Sequence, residues 1–246
     1  MRLVSVCGLA YAALTPEKAA LLAREKIRTG GFFSVFTVGA TMHARALRSE
    51  EERRLLSAAD LILPDGQGVV LASRFVRDSL SCRCAGIVFA EALLERADWG
   101  TRFFFYGGRE GVAARAAKRM AEKYPHLSFA CASGYGEDPI DEITAFSPHA
   151  LFVCLGFPRQ EKYILVHRDR LTCLCVGLGG SFDVWSGDVP RAPLFLQKCG
   201  LEWAYRTLRE PRRIPRLFPL PAYFFAAARE GLKKKRKQDG GKDGIG

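Results

Sequence analysis

Asp65 closes the apolar run Leu61–Pro64 and is followed by Gly66-Gln67-Gly68, so its carboxylate is expected at a strand end just ahead of a helix. A carboxylate so placed can take a proton from a substrate, hold a sugar hydroxyl or cap the helix. A second candidate group is Gly156-Phe157-Pro158-Arg159-Gln160-Glu161. Unpaired amides of a first helical turn hold phosphate or hydroxyl oxygens. Pro158 and Glu161 also suit a helix start for structural reasons alone, which leaves Gln160 as the side chain that needs another role. The third group runs from Gly177 to Arg216: an apolar strand ends in Gly179-Gly180, and Arg206, Arg209, Arg212, Arg213 and Arg216 follow around Pro211 and Pro215. Glycines let a backbone approach a ligand closely, and guanidinium forks suit phosphate or carboxylate, so the expected ligand is anionic.

The elements that must position these groups alternate short apolar runs with longer amphipathic ones, the pattern of a parallel sheet with helical crossovers. Strands are predicted over 34–38, 61–63, 102–106, 127–132, 150–155 and 171–177. Helices are predicted over 16–28, 42–58, 68–76, 88–97, 110–123, 139–146 and 159–168. The exits TVGAT, LPDGQG, YGGREG, SGYGED, LGFPRQE and GLGGSFD each place glycine and polar residues after an apolar run. In an open parallel sheet such exits share one rim, and ligands bind there. YGGREG alone matches neither the dinucleotide fingerprint nor the phosphate-loop pattern.

A chain of 246 residues, 48% hydrophobic, can bury a full core without disulfides or metal. Lys and Arg outnumber Asp and Glu by 37 to 26, and the net charge of +11 favours a polyanion: nucleic acid, an anionic membrane surface or a phosphorylated substrate. The eight cysteines lie mostly in apolar runs and read as reduced core residues, and their C-x-C pairs differ from zinc-knuckle spacing. No run approaches the roughly 20 apolar residues of a membrane span. Past Arg191 the alternation stops. LFPLPAYFFAAAREGLKKKRK joins bulky apolar residues to a cationic cluster, which suits either the interface of an anionic membrane or a docked terminal helix followed by a solvated tail from Lys237. The expected organisation is thus a domain over 1–193 and an appendage over 194–246.

LPDGQG, GFPRQEKY, GLGGSFDVWSG, RAP, LEWAYR and EPRR together resemble the WecG/TagA/CpsF family of bacterial glycosyltransferases, over nearly the whole chain to about Arg216. The resemblance implies a Rossmann-like α/β domain, a mostly parallel sheet with helices on both faces, followed by a basic helical C-terminal appendage. It also implies inverting, metal-independent transfer of a sugar from a UDP-sugar donor to a polyprenyl-diphosphate-linked sugar, without a cofactor, by a peripheral protein on the cytoplasmic face of the membrane. The sugar would be of the N-acetylmannosamine type, a uronic acid or a relative, and the product a cell-surface polysaccharide such as a teichoic acid linkage unit.

Carried onto this sequence, the resemblance makes Asp65 the base and Arg206, Arg213 and Arg216 the cations that stabilise the leaving diphosphate in place of a metal, there being no Asp-x-Asp motif. Thr37, Gln67, Arg83, Gln160, Glu161 and Asp183 fall around sugar and diphosphate, and Gly107, Gly108, Tyr135 and Gly136 on loops for the nucleotide. Two positions depart from the family: Gly39 stands where Asn is usual, and Val88 where Asp is usual. Other readings are a UDP-sugar-binding protein without transfer activity and a nucleic-acid-binding protein. The latter rests on charge alone, without a recognisable aromatic sheet motif, and nucleic acid is not an expected partner. A homo-oligomer is compatible with the sequence.

Overall fold

The computed structural model describes residues 1–193, 195–196, 202–209, 214–215 and 217–239. The chain opens with a hairpin, β1 (Leu3–Val6) and β2 (Leu9–Ala12), in antiparallel register. Cys7 and Gly8 turn it with φ of 46° and 86°, as a two-residue turn of the I′ kind requires. The alternation Val4, Val6, Leu9, Tyr11 faces the core, while Leu3, Ser5 and Ala10 face solvent. This hairpin is absent from the predicted elements, although its alternation and its turn glycine are readable.

There follow α1 (Pro16–Thr29), β3 (Phe33–Gly39), α2 (Ala40–Ala46), α3 (Glu50–Ser57), β4 (Leu61–Asp65), α4 (Gln67–Phe75), α5 (Gly86–Arg96) and β5 (Arg102–Gly107). The second half runs α6 (Val112–Lys123), β6 (Ser128–Ala132), α7 (Ile140–Phe146), β7 (Ala150–Cys154), α8 (Arg159–Val166), β8 (Leu174–Gly177) and α9 (Ser181–Trp185). After these come α10 (Glu202–Arg209) and α11 (Leu220–Asp239). The single helix predicted over 42–58 is two, because Ser49 starts α3 by accepting the Glu52 N–H on its hydroxyl. Helix α11 also continues three residues into the tail expected from Lys237, and 240–246 lie outside the described residues.

Strands β3 to β8 form one all-parallel sheet in the order β4-β3-β8-β7-β5-β6. Helices cover both faces, so the strands are mostly apolar and successive residues enter different cores. Phe103, Phe105, Phe152 and Val176 meet α1, α5, α6 and α9 on one face. Phe104, Tyr106, Val153 and Cys175 meet the hairpin, α2, α4, α7, α8 and α11 on the other. The α/β architecture expected from the sequence is the one observed.

Helix α11 is part of that second core. Tyr223 and Ala227 are buried in it. The Tyr223 ring lies 4.9 Å from that of His43 on α2, and Glu230 accepts the Cys7 N–H of the hairpin turn at 2.8 Å. Its other side exposes Phe225 and Leu232, ahead of Lys233, Lys234 and Lys235.

Candidate functional site

Strand order fixes where a ligand can enter. The chain leaves β5 through α6, on one face, towards the outer strand β6; it leaves β7 through α8, on the other face, towards β8 at the centre. The two loops part between adjacent strands and leave a crevice at their carboxyl ends. Gly107 allows the close strand approach below it, since a Cβ there would lie 2.4 Å from the Cys154 carbonyl oxygen.

A cavity of about 1070 Å³ opens above this point, walled by residues from β3, β4, α2 and the loops after β5, β6, β7 and β8. Thr37, Asp65, Gly108, Tyr135, Gln160 and Asp183 all line it. Residues separated by more than a hundred positions are thus gathered at one rim.

Each wall has a local cause. Asp65 ends β4, and Gly66, with φ of 92°, turns the chain into α4. The following loop folds back, with Cys84 N–H donating to the Pro64 carbonyl at 2.8 Å and Gly86 N–H reaching towards Asp65 Oδ1 at 3.4 Å. Thr37 is buried and donates its hydroxyl to the Gly177 carbonyl at 2.8 Å, binding β3 to β8 beneath the cavity. Gln160 is buried at the start of α8, where Oε1 accepts the Gly179 N–H at 3.0 Å. Tyr135 stands largely exposed at the mouth of the cavity.

Other expected residues sit beside the cavity rather than in its wall. Gln67 is exposed on the first turn of α4, Arg83 is half-buried in the loop that returns to β4, and Gly136 is exposed beyond Tyr135. Gly107 is buried below the rim. Glu161 is fully buried behind Gln160, whose Nε2 donates to its Oε1 at 2.8 Å, and burial pushes its carboxyl up to about 7. Arg206 lies on α10, and Arg213 and Arg216 lie outside the described residues.

Two cavity-lining arginines, Arg45 and Arg109, are missing from the residues expected on sequence grounds, and Arg159 of the second candidate group lines the cavity with them. Arg45 reaches the mouth from α2, its guanidinium 5.0 Å from the centre of the Phe157 ring and ion-paired with Glu52 of α3. Arg109 follows Gly108 directly, so YGGREG carries a readable cation next to its glycines. Among the described residues, no group of three or more His, Cys, Asp or Glu side chains is placed to hold a metal ion. A polar crevice with a carboxylate, fixed amides and arginines suits a phosphorylated ligand carrying hydroxyls and proton transfer at one of them.

Comparison with known proteins places the chain among relatives. The glycosyl transferase WecG/TagA/CpsF family model matches residues 4–237. The N-acetylglucosaminyldiphosphoundecaprenol N-acetyl-beta-D-mannosaminyltransferase of Bacillus spizizenii is 39% identical over 198 residues, 78% of this chain and 77% of the relative. Its namesake in Bacillus subtilis is 36% identical over 207 residues, covering 82% and 81%, and that of Staphylococcus aureus is 34% identical over 188 residues, covering 74% of each. The match spans the hairpin, every strand of the sheet and the docked terminal helix, and the chain belongs to the WecG/TagA/CpsF family of glycosyltransferases.

Proposed function

We propose that the enzyme transfers an N-acetylmannosamine-type sugar, with inversion, from a UDP-sugar to an amino sugar carried on a polyprenyl diphosphate. The observation that carries the reading is the place of Asp65, a strand-end carboxylate lining the same cavity as the Gly108 loop, Tyr135 and Gln160. The names of the relatives specify an N-acetylmannosaminyl group and an N-acetylglucosaminyl-diphosphate-lipid acceptor.

In the proposed reaction Asp65 takes the proton of the acceptor hydroxyl as that oxygen bonds to the anomeric carbon from the face opposite UDP. The bond from that carbon to the β-phosphate oxygen breaks, and its electron pair departs on UDP. One carboxylate suffices for this single displacement. The charge gathering on the diphosphate meets arginines in place of a metal: Arg206, Arg213 and Arg216 from the appendage, with Arg109 in the wall beside the Gly108 loop. An appendage closing over the cavity would also exclude water as a competing acceptor.

Membrane association is part of the proposal. No helix among the described residues is long and apolar enough to cross a bilayer. Exposed Phe218, Phe225 and Leu232, followed by three lysines, suit peripheral contact with an anionic lipid surface, where the lipid-linked acceptor resides. Purified protein incubated with a panel of UDP-sugars and a lipid-diphosphate-linked N-acetylglucosamine is expected to extend the lipid by one sugar. Binding of UDP-sugar without transfer from any donor would favour a binding protein instead.

A further inference from the structure

Gln160 is held at both ends of its carboxamide. Oε1 receives the Gly179 N–H, which can only donate, and Nε2 gives a hydrogen to Glu161 Oε1. Reversing the amide would set N–H against N–H at Gly179 and oxygen against oxygen at Glu161, so the two hydrogen bonds select one orientation. The β8 backbone leaves room for it: a Cβ on Gly177 would sit 2.8 Å from Gln160 Nε2.

An amide nitrogen carries two hydrogens, and Glu161 takes one. The amide oxygen likewise has two lone pairs, of which the Gly179 N–H takes one; Gln160 lines the cavity while Glu161 does not, so the fixed orientation decides which remaining group this side chain offers a ligand. We propose that Glu161 is a positioning residue that fixes the Gln160 carboxamide in one orientation, so that this point of the cavity presents a set hydrogen-bonding group to a sugar substituent or a phosphate of the ligand. The inference rests on the sugar-nucleotide reading of the cavity.

The burial of Glu161 fits this use. Its Oε2 is buried with no hydrogen-bond partner, a costly arrangement that an apolar side chain of the same size would avoid. Whether protonated on Oε2 or ionised, Glu161 keeps Oε1 as an acceptor towards Gln160. The nearby carboxylate of Glu52 on α3 is occupied by Arg45. The acceptor is therefore directed at Gln160 and at no other described side chain.

The test measures binding of UDP and of UDP-N-acetylmannosamine to the full chain by calorimetry, with melting temperatures alongside. Glu161→Met is expected to melt no lower than the wild type yet to bind the UDP-sugar about 10-fold more weakly, the scale of one lost hydrogen bond. Glu161→Gln, which can present an amide oxygen in place of Oε1, is expected to restore most of that loss. Gln160→Met and the double variant Gln160→Met/Glu161→Met should bind equally weakly, since Glu161 acts through Gln160. Wild-type affinity in Glu161→Met, or losses that multiply in the double variant, would overturn the inference.

The wild type supplies a measurement that needs no variant to fold. One Gln160 side-chain amide proton should shift in the nuclear magnetic resonance spectrum on addition of UDP-N-acetylmannosamine. An unchanged pair of resonances at saturation would overturn the inference while leaving nucleotide binding intact. Absence of binding to either nucleotide would instead overturn the reading of the cavity, and this inference with it.

Discussion

Gly39 and Asp65 are register partners on the last rung of the β3–β4 ladder, and a Cβ on residue 39 would lie 3.1 Å from the Asp65 carbonyl oxygen. The family resemblance places Asn there. Gly39 has φ of −88°, open to any residue, and it is the N-cap of α2 without a side-chain bond. Asn at this position would cap the helix, a gain of a few tenths of a kcal/mol over Gly, against a shift of a few tenths of an ångström beside Asp65. Gly39→Asn is accordingly expected to keep stability within about 1 kcal/mol by chemical denaturation. Its effect should fall on substrate choice, changing relative kcat/KM among UDP-sugars by about 10-fold, the scale of one hydrogen bond to a substrate in a pocket. Unchanged preference across a donor panel would separate this position from specificity.

Burial holds the Glu161 carboxyl up to about 7 from its ordinary 4.5. The folded protein therefore binds more protons at this position than the unfolded chain between those values, and stability from Glu161 falls as pH rises. It is complete below pH 4.5 and lost above pH 7. Glu161→Gln removes this dependence and is expected to exceed the wild type by about 3 kcal/mol at pH 8, with the difference closing towards pH 4.5 in urea titrations. A difference independent of pH would contradict the assigned cause.

His43 titrates with the opposite sign. Burial lowers it to about 4, with Tyr11 OH 2.9 Å from Nδ1 and Tyr223 packed on its ring. Its contribution is present above pH 6.5 and lost as pH falls through 4, on the order of 3 kcal/mol. Because Tyr223 belongs to α11, acid should loosen that helix first. Limited proteolysis at Arg229 and Lys233 is expected to speed up between pH 6 and pH 4, and His43→Gln should flatten that dependence.

The appendage arginines are testable without removing the helix that follows them. Truncation after Pro193 would strip Tyr223 and Ala227 from the second core, and losing a buried aromatic costs about 3–5 kcal/mol. Point substitutions avoid this. Arg206→Ala, Arg213→Ala and Arg216→Ala are each expected to lower kcat by about 100-fold while the melting temperature holds, the scale of losing one group aimed at developing charge. Unaltered turnover in all three would return the diphosphate to the wall arginines.

Much of the rim is legible in the sequence because glycine and polar residues after an apolar run carry the same meaning wherever the strand sits in the sheet. Asp65, Gln160 and Gly108 can be placed at one edge without knowing the strand order. That order, and with it the crevice between β5 and β7, depends on long-range pairing that local periodicity does not encode. Arg45 is hidden for a related reason: a helical arginine reads as a solvated face until the stacking of α2 beside Phe157 turns it to the mouth. The break at Ser49 is readable from Ser49 and Glu52, but an amphipathic pattern continuing across it masks the cap. The amphipathic end of the chain has both an apolar and a basic side. Only packing against His43 shows which apolar residues belong to the protein's own core and which remain exposed.

The most direct test of Asp65 as the base is single-turnover transfer by Asp65→Asn, with UDP binding measured on the same preparation. Loss of the base is expected to lower the rate by about 100-fold or more while UDP affinity stays within about 3-fold of the wild type. A variant that transfers sugar at the wild-type rate would contradict the assignment.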